Sequence, residues 1–157
     1  MPDPEAEDPQ GGLSHRLSVT IIPLPPRVLA DFTHLVTTFA AGPHEFGAFR
    51  ELWHATRFSD IFATARSGNR VPGIGETAEQ YVGLLLGAAM RRLQRASGFG
   101  ERLGALFLLH GLHSQQPCQP RVPILAAQDE WPAVEELERE LRAKAHAAGF
   151  QARHAAG

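Results

Sequence analysis

Between Arg27 and Gly149 the apolar residues recur at helical spacing, in five blocks separated by glycine and proline. A chain patterned this way can bury its stripes only by packing helix on helix, so the expected fold class is all-α. In the first block Val28, Leu29, Phe32, Leu35, Val36 and Phe39 share one stripe, and Gly42-Pro43 ends it. Gly42 is expected as a left-handed cap, with Pro43 able to open the next helix. The second stripe is Phe46, Phe49, Leu52 and Trp53, resuming after a break near Arg57 as Phe58, Ile61, Phe62 and Ala65. Thr77 followed three residues later by Gln80 is a capping box and starts the third helix, with Tyr81, Val82, Leu85, Leu86, Ala89 and Leu93 on its apolar face. The fourth, Phe99 to about Ser114, is apolar almost all round, which implies burial on most sides. In the fifth, Asp129 is the expected cap and Trp131, Val134, Leu137, Leu141 and Ala145 line one face. Glu135–Arg139 and Glu138–Arg142 are expected as outer i,i+4 pairs, and Gly149 as the end.

The remaining segments are punctuation. Residues 1–26 read as a disordered tail, rich in proline and acidic at Asp3, Glu5, Glu7 and Asp8. The β-like run Leu17–Ile22 has no evident partner strand and reads as loop. Arg66 to Gly75 reads as a glycine-containing loop, and Pro117, Pro120 and Pro123 hold residues 115–125 extended. The expected organisation is one compact helical domain over 27–150, about five helices in a hairpin array, with a frayed end at 151–157. Its longest apolar stretches, Tyr81–Met90 and Leu103–Leu112, are about half of the ~20 residues that span a bilayer, so they read as core helices.

Composition removes several function classes. Fifteen Lys and Arg against seventeen Asp and Glu leave a formal charge of -2, without the basic excess of a free-standing nucleic-acid binder. One cysteine, Cys118, cannot form an internal disulfide, which excludes a disulfide-stapled secreted domain. The glycines at 68, 73 and 75 lack the Lys-Ser/Thr that a phosphate loop places after its second glycine. His110, His113 and Cys118 are the only metal-like grouping, but a structural zinc needs four ligands, and no Asp or Glu occurs between Arg102 and Asp129. His110 falls on the stripe of Leu103, Leu106 and Phe107 and reads as a partly buried packing residue; Cys118, between prolines, reads as a buried structural thiol. With no serine elbow and no paired carboxylates in an apolar setting, the residues point to a non-enzymatic chain without cofactor or metal. Gly83 and Gly87 form a small-xxx-small pair that reads as internal helix packing. Arg91, Arg92, Arg95 and Arg102 form a basic stretch whose first role is helix-end electrostatics and whose second is a contact to a nucleic-acid backbone.

Two blocks carry a family resemblance. Gly104-Ala-Leu-Phe-Leu-Leu-His-Gly-Leu-His113, then Gln116-Pro-Cys-Gln-Pro120, an extended Ile124-Leu125-Ala126 and Trp131, resembles the core of subunit 1 of the small nuclear RNA-activating protein complex. Phe46-Gly-Ala-Phe49-Arg-Glu-Leu52-Trp53, then Arg57-Phe58-Ser-Asp-Ile61-Phe62, is similar to an upstream motif of that family, in the same order and at the same spacing. The resemblance covers about residues 28–145. It implies a nuclear, non-catalytic scaffold in a complex that binds the proximal sequence element and supports small nuclear RNA gene transcription by RNA polymerases II and III. The implied partners are a Myb-repeat subunit and a third core subunit, with promoter DNA met only inside the complex. Trp53, Phe58, Ile61, Phe62, Leu112 and Trp131 are the candidate partner-binding residues, of which those left exposed should mark the interface. Competing readings are a free-standing helical adaptor that takes peptide or lipid in a groove and, more weakly, a metal enzyme built on His110, His113 and Cys118.

Overall fold

Proline at the first helical position is tolerated because its missing N–H would have no partner there, and the first helix begins in this way at Pro26. The computed structural model describes residues 24–63 and 77–155, with side-chain surroundings through residue 148. Helix α1 (Pro26–Ala40) buries Phe32, Leu35, Val36 and Phe39, and α2 (Phe46–Ala55) buries Phe49 and Trp53. A short 3-10 helix (Phe58–Phe62) carries Phe58 and Phe62 inward. Then come α3 (Ala78–Arg95), α4 (Phe99–Gln115) and α5 (Trp131–Ala155). The described residues are all-α, with no strand. The expected tail through residue 23 and the expected loop at 66–75 lie outside the described residues, as does Ala65. Leu24 is already part of the core, so packing begins upstream of the helix.

Helix α4 is the centre of the molecule: α1, α2, α3 and α5 all pack on it. Its all-round apolar character follows from that position. Close approach to α1 is possible because α4 carries glycine where the two meet. A Cβ on Gly104 would lie 2.9 Å from Phe39 Cδ1 and 3.5 Å from the Val36 carbonyl oxygen. A Cβ on Gly100 would lie 3.2 Å from the Ala40 Cα, and one on Gly111 2.8 Å from the Trp53 ring. Gly83 and Gly87, the pair singled out in the sequence, do not make such a contact. The nearest atom to a Cβ on Gly83 is a Val122 methyl at 4.0 Å, and on Gly87 the Arg91 guanidinium at 3.4 Å.

Between α2 and the 3-10 helix the chain turns at Arg57, whose φ of 53° is left-handed. That conformation costs a non-glycine residue about 1–2 kcal/mol. It lets the Asp60 N–H reach the Arg57 carbonyl at 2.9 Å and places the Arg57 guanidinium 2.9 Å from the Asp60 carboxylate. The aromatic core follows: Trp53 and Phe58 have ring centroids 4.6 Å apart, and Phe39 meets Phe49 and Phe107 edge-on at 5.4 and 5.6 Å.

Four local expectations are corrected. Gly42 is not left-handed; α1 closes instead through Ala41 N–H to Thr37 O and Gly42 N–H to Phe39 O. The turn before α5 is held by Glu130, whose carboxylate accepts from the Ala127 N–H at 2.8 Å, and the helix starts at Trp131 instead of being capped by Asp129. It continues through Gly149 to Ala155, since one interior glycine costs only about 1 kcal/mol of helix propensity. Of the two outer pairs, Glu138–Arg142 forms at 2.5 Å, while Glu135–Arg139 is not among the ion pairs of the described residues. The capping box at the start of α3 forms as expected, with Gln80 N–H donating to Thr77 Oγ1 and Thr77 N–H to Gln80 Oε1.

Candidate partner interface

After α4 the chain runs without regular structure from Gln116 to Ala127, and one buried side chain shapes its first half. Gln116 Oε1 accepts from the Val122 N–H at 2.7 Å. Its Nε2 donates to the Val122 carbonyl at 3.0 Å and to the His113 carbonyl at 3.1 Å. The amide thus stands in for a strand partner and satisfies backbone groups that would otherwise be buried without one. Cys118 is buried inside this turn and the Gln119–Pro120 peptide is cis. Val122 packs against α3 opposite Gly83.

The second half leaves the core. Pro123 through Ala127 are all exposed, and residues 123–126 make no backbone–backbone hydrogen bond among the described residues. Ile124 is 38% exposed, Leu125 77%, and Trp131, on the first turn of α5, 57%. They make up three of the five large apolar side chains that stand exposed in the described chain. Such a concentration on a short segment, with free backbone N–H and C=O groups beside it, is how a surface suited to another chain looks.

The other candidate residues fall into place around it. Trp53, Phe58, Phe62 and Leu112 are core, and Ile61 is partly buried with its carbonyl accepting from the Tyr81 hydroxyl at 3.3 Å. Of those six residues only Trp131 is left open to a partner. The indole of Trp53 donates to Ser59 Oγ at 2.9 Å, and that hydroxyl donates to Gln115 Oε1 at 2.8 Å. This relay runs from the buried Trp53 through the half-buried Ser59 to the exposed Gln115 and belongs to the fold.

The basic group divides. Arg102 is turned toward α5, 2.6 Å from Glu140 and 3.5 Å from Glu136, with its side chain only 13% exposed. It joins α4 to α5 and is not available to phosphate. Arg91 and Arg95 are exposed, Arg92 is half-buried, and all three face the α1 side of α3.

His110, read as partly buried, is exposed; its ring meets Phe46 edge-on at 5.9 Å. Phe46 leans over Phe107 without covering α4 far enough to enclose the imidazole. Cys118 is buried as expected. Burial pushes its thiol above the usual range, and the negative charge of Glu79 adds to the shift, so the neutral form is favoured and nucleophilicity is low. Among the described residues no three His, Cys, Asp or Glu side chains are grouped to hold a metal ion. No helix of the described residues is long and apolar enough to cross a membrane.

Sequence reasoning missed the role of Gln116, although the motif containing it was recognisable. It also missed Gly100, Gly104 and Gly111, whose signal was their four- and seven-residue spacing along α4.

Comparison with known proteins gives a consistent result. The family model described as small nuclear RNA activating complex (SNAPc), subunit 1, matches residues 28–153. The snRNA-activating protein complex subunit 1 of Mus musculus is 29% identical over 124 residues, which is 78% of this chain and 30% of the relative. Those of Macaca fascicularis and Homo sapiens are each 30% identical over 118 residues, covering 74% of this chain and 30% of the relative. The chain therefore spans roughly a third of the length of the curated relatives it matches.

Proposed function

The chain belongs to the small nuclear RNA activating complex subunit 1 family, and on that premise we propose that it is a non-catalytic scaffold subunit of the snRNA-activating protein complex. The observation that carries this is the position of the exposed apolar segment. Ile124, Leu125 and Trp131 lie inside the matched region, on the extended run that follows the Gln116 turn. A scaffold needs a packed body to hold one open apolar surface in place, and α4 with the Gln116 clamp supplies it.

In this reading the protein acts in the nucleus and joins the Myb-repeat subunit and a third core subunit. It supports recognition of the proximal sequence element and transcription of small nuclear RNA genes by RNA polymerases II and III. DNA reading is left to a partner. The charge of -2 and the engagement of Arg102 by two carboxylates support that division of labour.

The test is a pull-down of tagged chain from nuclear extract, with the bound proteins identified one by one. Recovery of the Myb-repeat subunit is expected, together with no binding of isolated chain to promoter duplex at physiological salt. Exclusion of the tagged chain from nuclei, with neither core subunit recovered, would overturn the proposal in favour of a free-standing helical adaptor.

A further inference from the structure

A second surface lies on the other flank of α3. Here α1 and α3 enclose a groove of about 320 Å³, with Phe32, Ala88 and Ala96 along its floor and Leu29, 44% exposed, on one wall. Leu29 falls on the apolar stripe of α1, yet no neighbouring helix covers it. Around the rim stand Arg91, Arg92 and Arg95.

Two observations bear on these arginines. The three stand together on one rim, and among the described residues none of them has a carboxylate within ion-pair distance. Arg92 is also held in place, its Nη1 donating to Thr33 Oγ1 across the groove at 3.0 Å. Their placement at the C-terminal end of α3 suits the macrodipole, which is worth about 0.3–1 kcal/mol for a cation. That role accounts for Arg92 and Arg95 on the last turn, but not for a third arginine beside them around an uncovered apolar floor.

We propose that this groove is a docking site for an acidic peptide segment of another protein, one that inserts a large aliphatic or aromatic side chain against Leu29 and Phe32 while its carboxylates meet the arginines. The guanidinium fork matches carboxylate in a bidentate manner, and Arg92 is already positioned, so little side-chain freedom is lost on binding. A nucleic-acid backbone fits less well. It offers no aliphatic or aromatic side chain for Leu29, whereas Glu101, which lines the same groove, repels phosphate and carboxylate alike and so confines either anion to the arginine side. The site is separate from the Ile124–Trp131 surface, because Gly83 and Gln94 turn a different side of α3 toward residues 122–129. It does not depend on the family reading.

The test uses the full chain and a fluorescein-labelled short peptide of Asp and Glu flanking Leu-Phe, followed by anisotropy. Saturable binding is expected, weakening at higher ionic strength as exposed charge pairs are screened. Arg91→Gln with Arg95→Gln, both at exposed positions, should weaken binding at least about tenfold while the melting temperature falls by no more than a few degrees, about what the lost macrodipole contribution allows. Leu29→Ser should weaken it several-fold, as should replacing Leu-Phe by Ala-Ala in the peptide. A peptide copying residues 2–12 of this chain, acidic but without such an anchor, should bind more weakly than the probe. No saturable binding would overturn the proposal. So would equal affinity for the anchorless peptides, or preferential binding of duplex DNA that is lost in the arginine variants.

Discussion

The closest approaches in the core are made by glycines on α4, and alanine at those positions should act opposite to alanine on α3. In Gly104→Ala the new methyl would sit 2.9 Å from Phe39 Cδ1 and 3.4 Å from a Val36 methyl. Phe39 cannot swing aside, because Phe49 and Phe107 hold it edge-on from two directions. Helices α1 and α4 must therefore separate by roughly half an ångström, an overpacking penalty of about 1–3 kcal/mol. Replacing glycine in a helix interior returns about 1 kcal/mol, for a net loss of about 0–2 kcal/mol. Gly111→Ala meets Trp53 at 2.8 Å, and that ring is pinned by its hydrogen bond to Ser59. Its loss should be as large or larger. Gly83→Ala finds its nearest neighbour at 4.0 Å and should gain most of the propensity term. At about 3–5 °C per kcal/mol for a domain of this size, the α4 and α3 variants should melt about 3–15 °C apart. Thermal unfolding followed by far-ultraviolet circular dichroism reads this directly. If Gly104→Ala or Gly111→Ala melts at or above Gly83→Ala, the close packing of α4 is wrong.

Three further outcomes follow from single groups. Gln116→Ala removes three hydrogen bonds and leaves the Val122 N–H and carbonyl without partners, so urea denaturation should show a loss of about 2–4 kcal/mol; an unchanged midpoint would show that the clamp is not needed. Arg102→Ala frees the carboxylate of Glu140 from its partner and should loosen α5, seen as faster amide exchange across 131–148 than across α4; equal exchange in both helices would refute the tie. Tyr81 is the only tyrosine, and burial raises its phenol above the ordinary value, as it does the Cys118 thiol. Both groups are neutral when folded, so their contribution is fully present below the ordinary values and is lost as pH rises through the raised ones. Ultraviolet titration should place the phenolate midpoint higher in folded than in urea-unfolded protein, and coincident midpoints would contradict the burial.

What could be read from the sequence was what depends on local order. The Thr77–Gln80 capping box joins residues three apart, and helical period marks α1, α3 and α4 without knowledge of their neighbours. The family blocks were legible for the same reason, being short ordered strings. What could not be read depends on which helix meets which. Gly83–Gly87 and Gly100–Gly104 have identical spacing, and only the crossing of α1 over α4 decides that the second pair is in contact. Trp53 and Trp131 both lie on apolar stripes, yet one is enclosed by the 3-10 helix while the other projects from the first turn of α5. Gln116 stands in a proline-rich segment where nothing local predicts a buried amide; its partner is fixed by the turn that brings Val122 back. Leu29 shows the reverse case, an apolar stripe residue that the fold leaves uncovered.

The central proposal is that Ile124, Leu125 and Trp131 form the surface by which this chain enters the snRNA-activating protein complex. Co-expression with the Myb-repeat subunit and the third core subunit, followed by size-exclusion chromatography with light scattering, tests it most directly. The wild-type chain should elute in a stoichiometric complex, and Leu125→Asp with Trp131→Ser should elute as a monomer with unchanged melting temperature. A wild-type chain that remains monomeric beside both partners, or a variant that assembles as well as wild type, would contradict it.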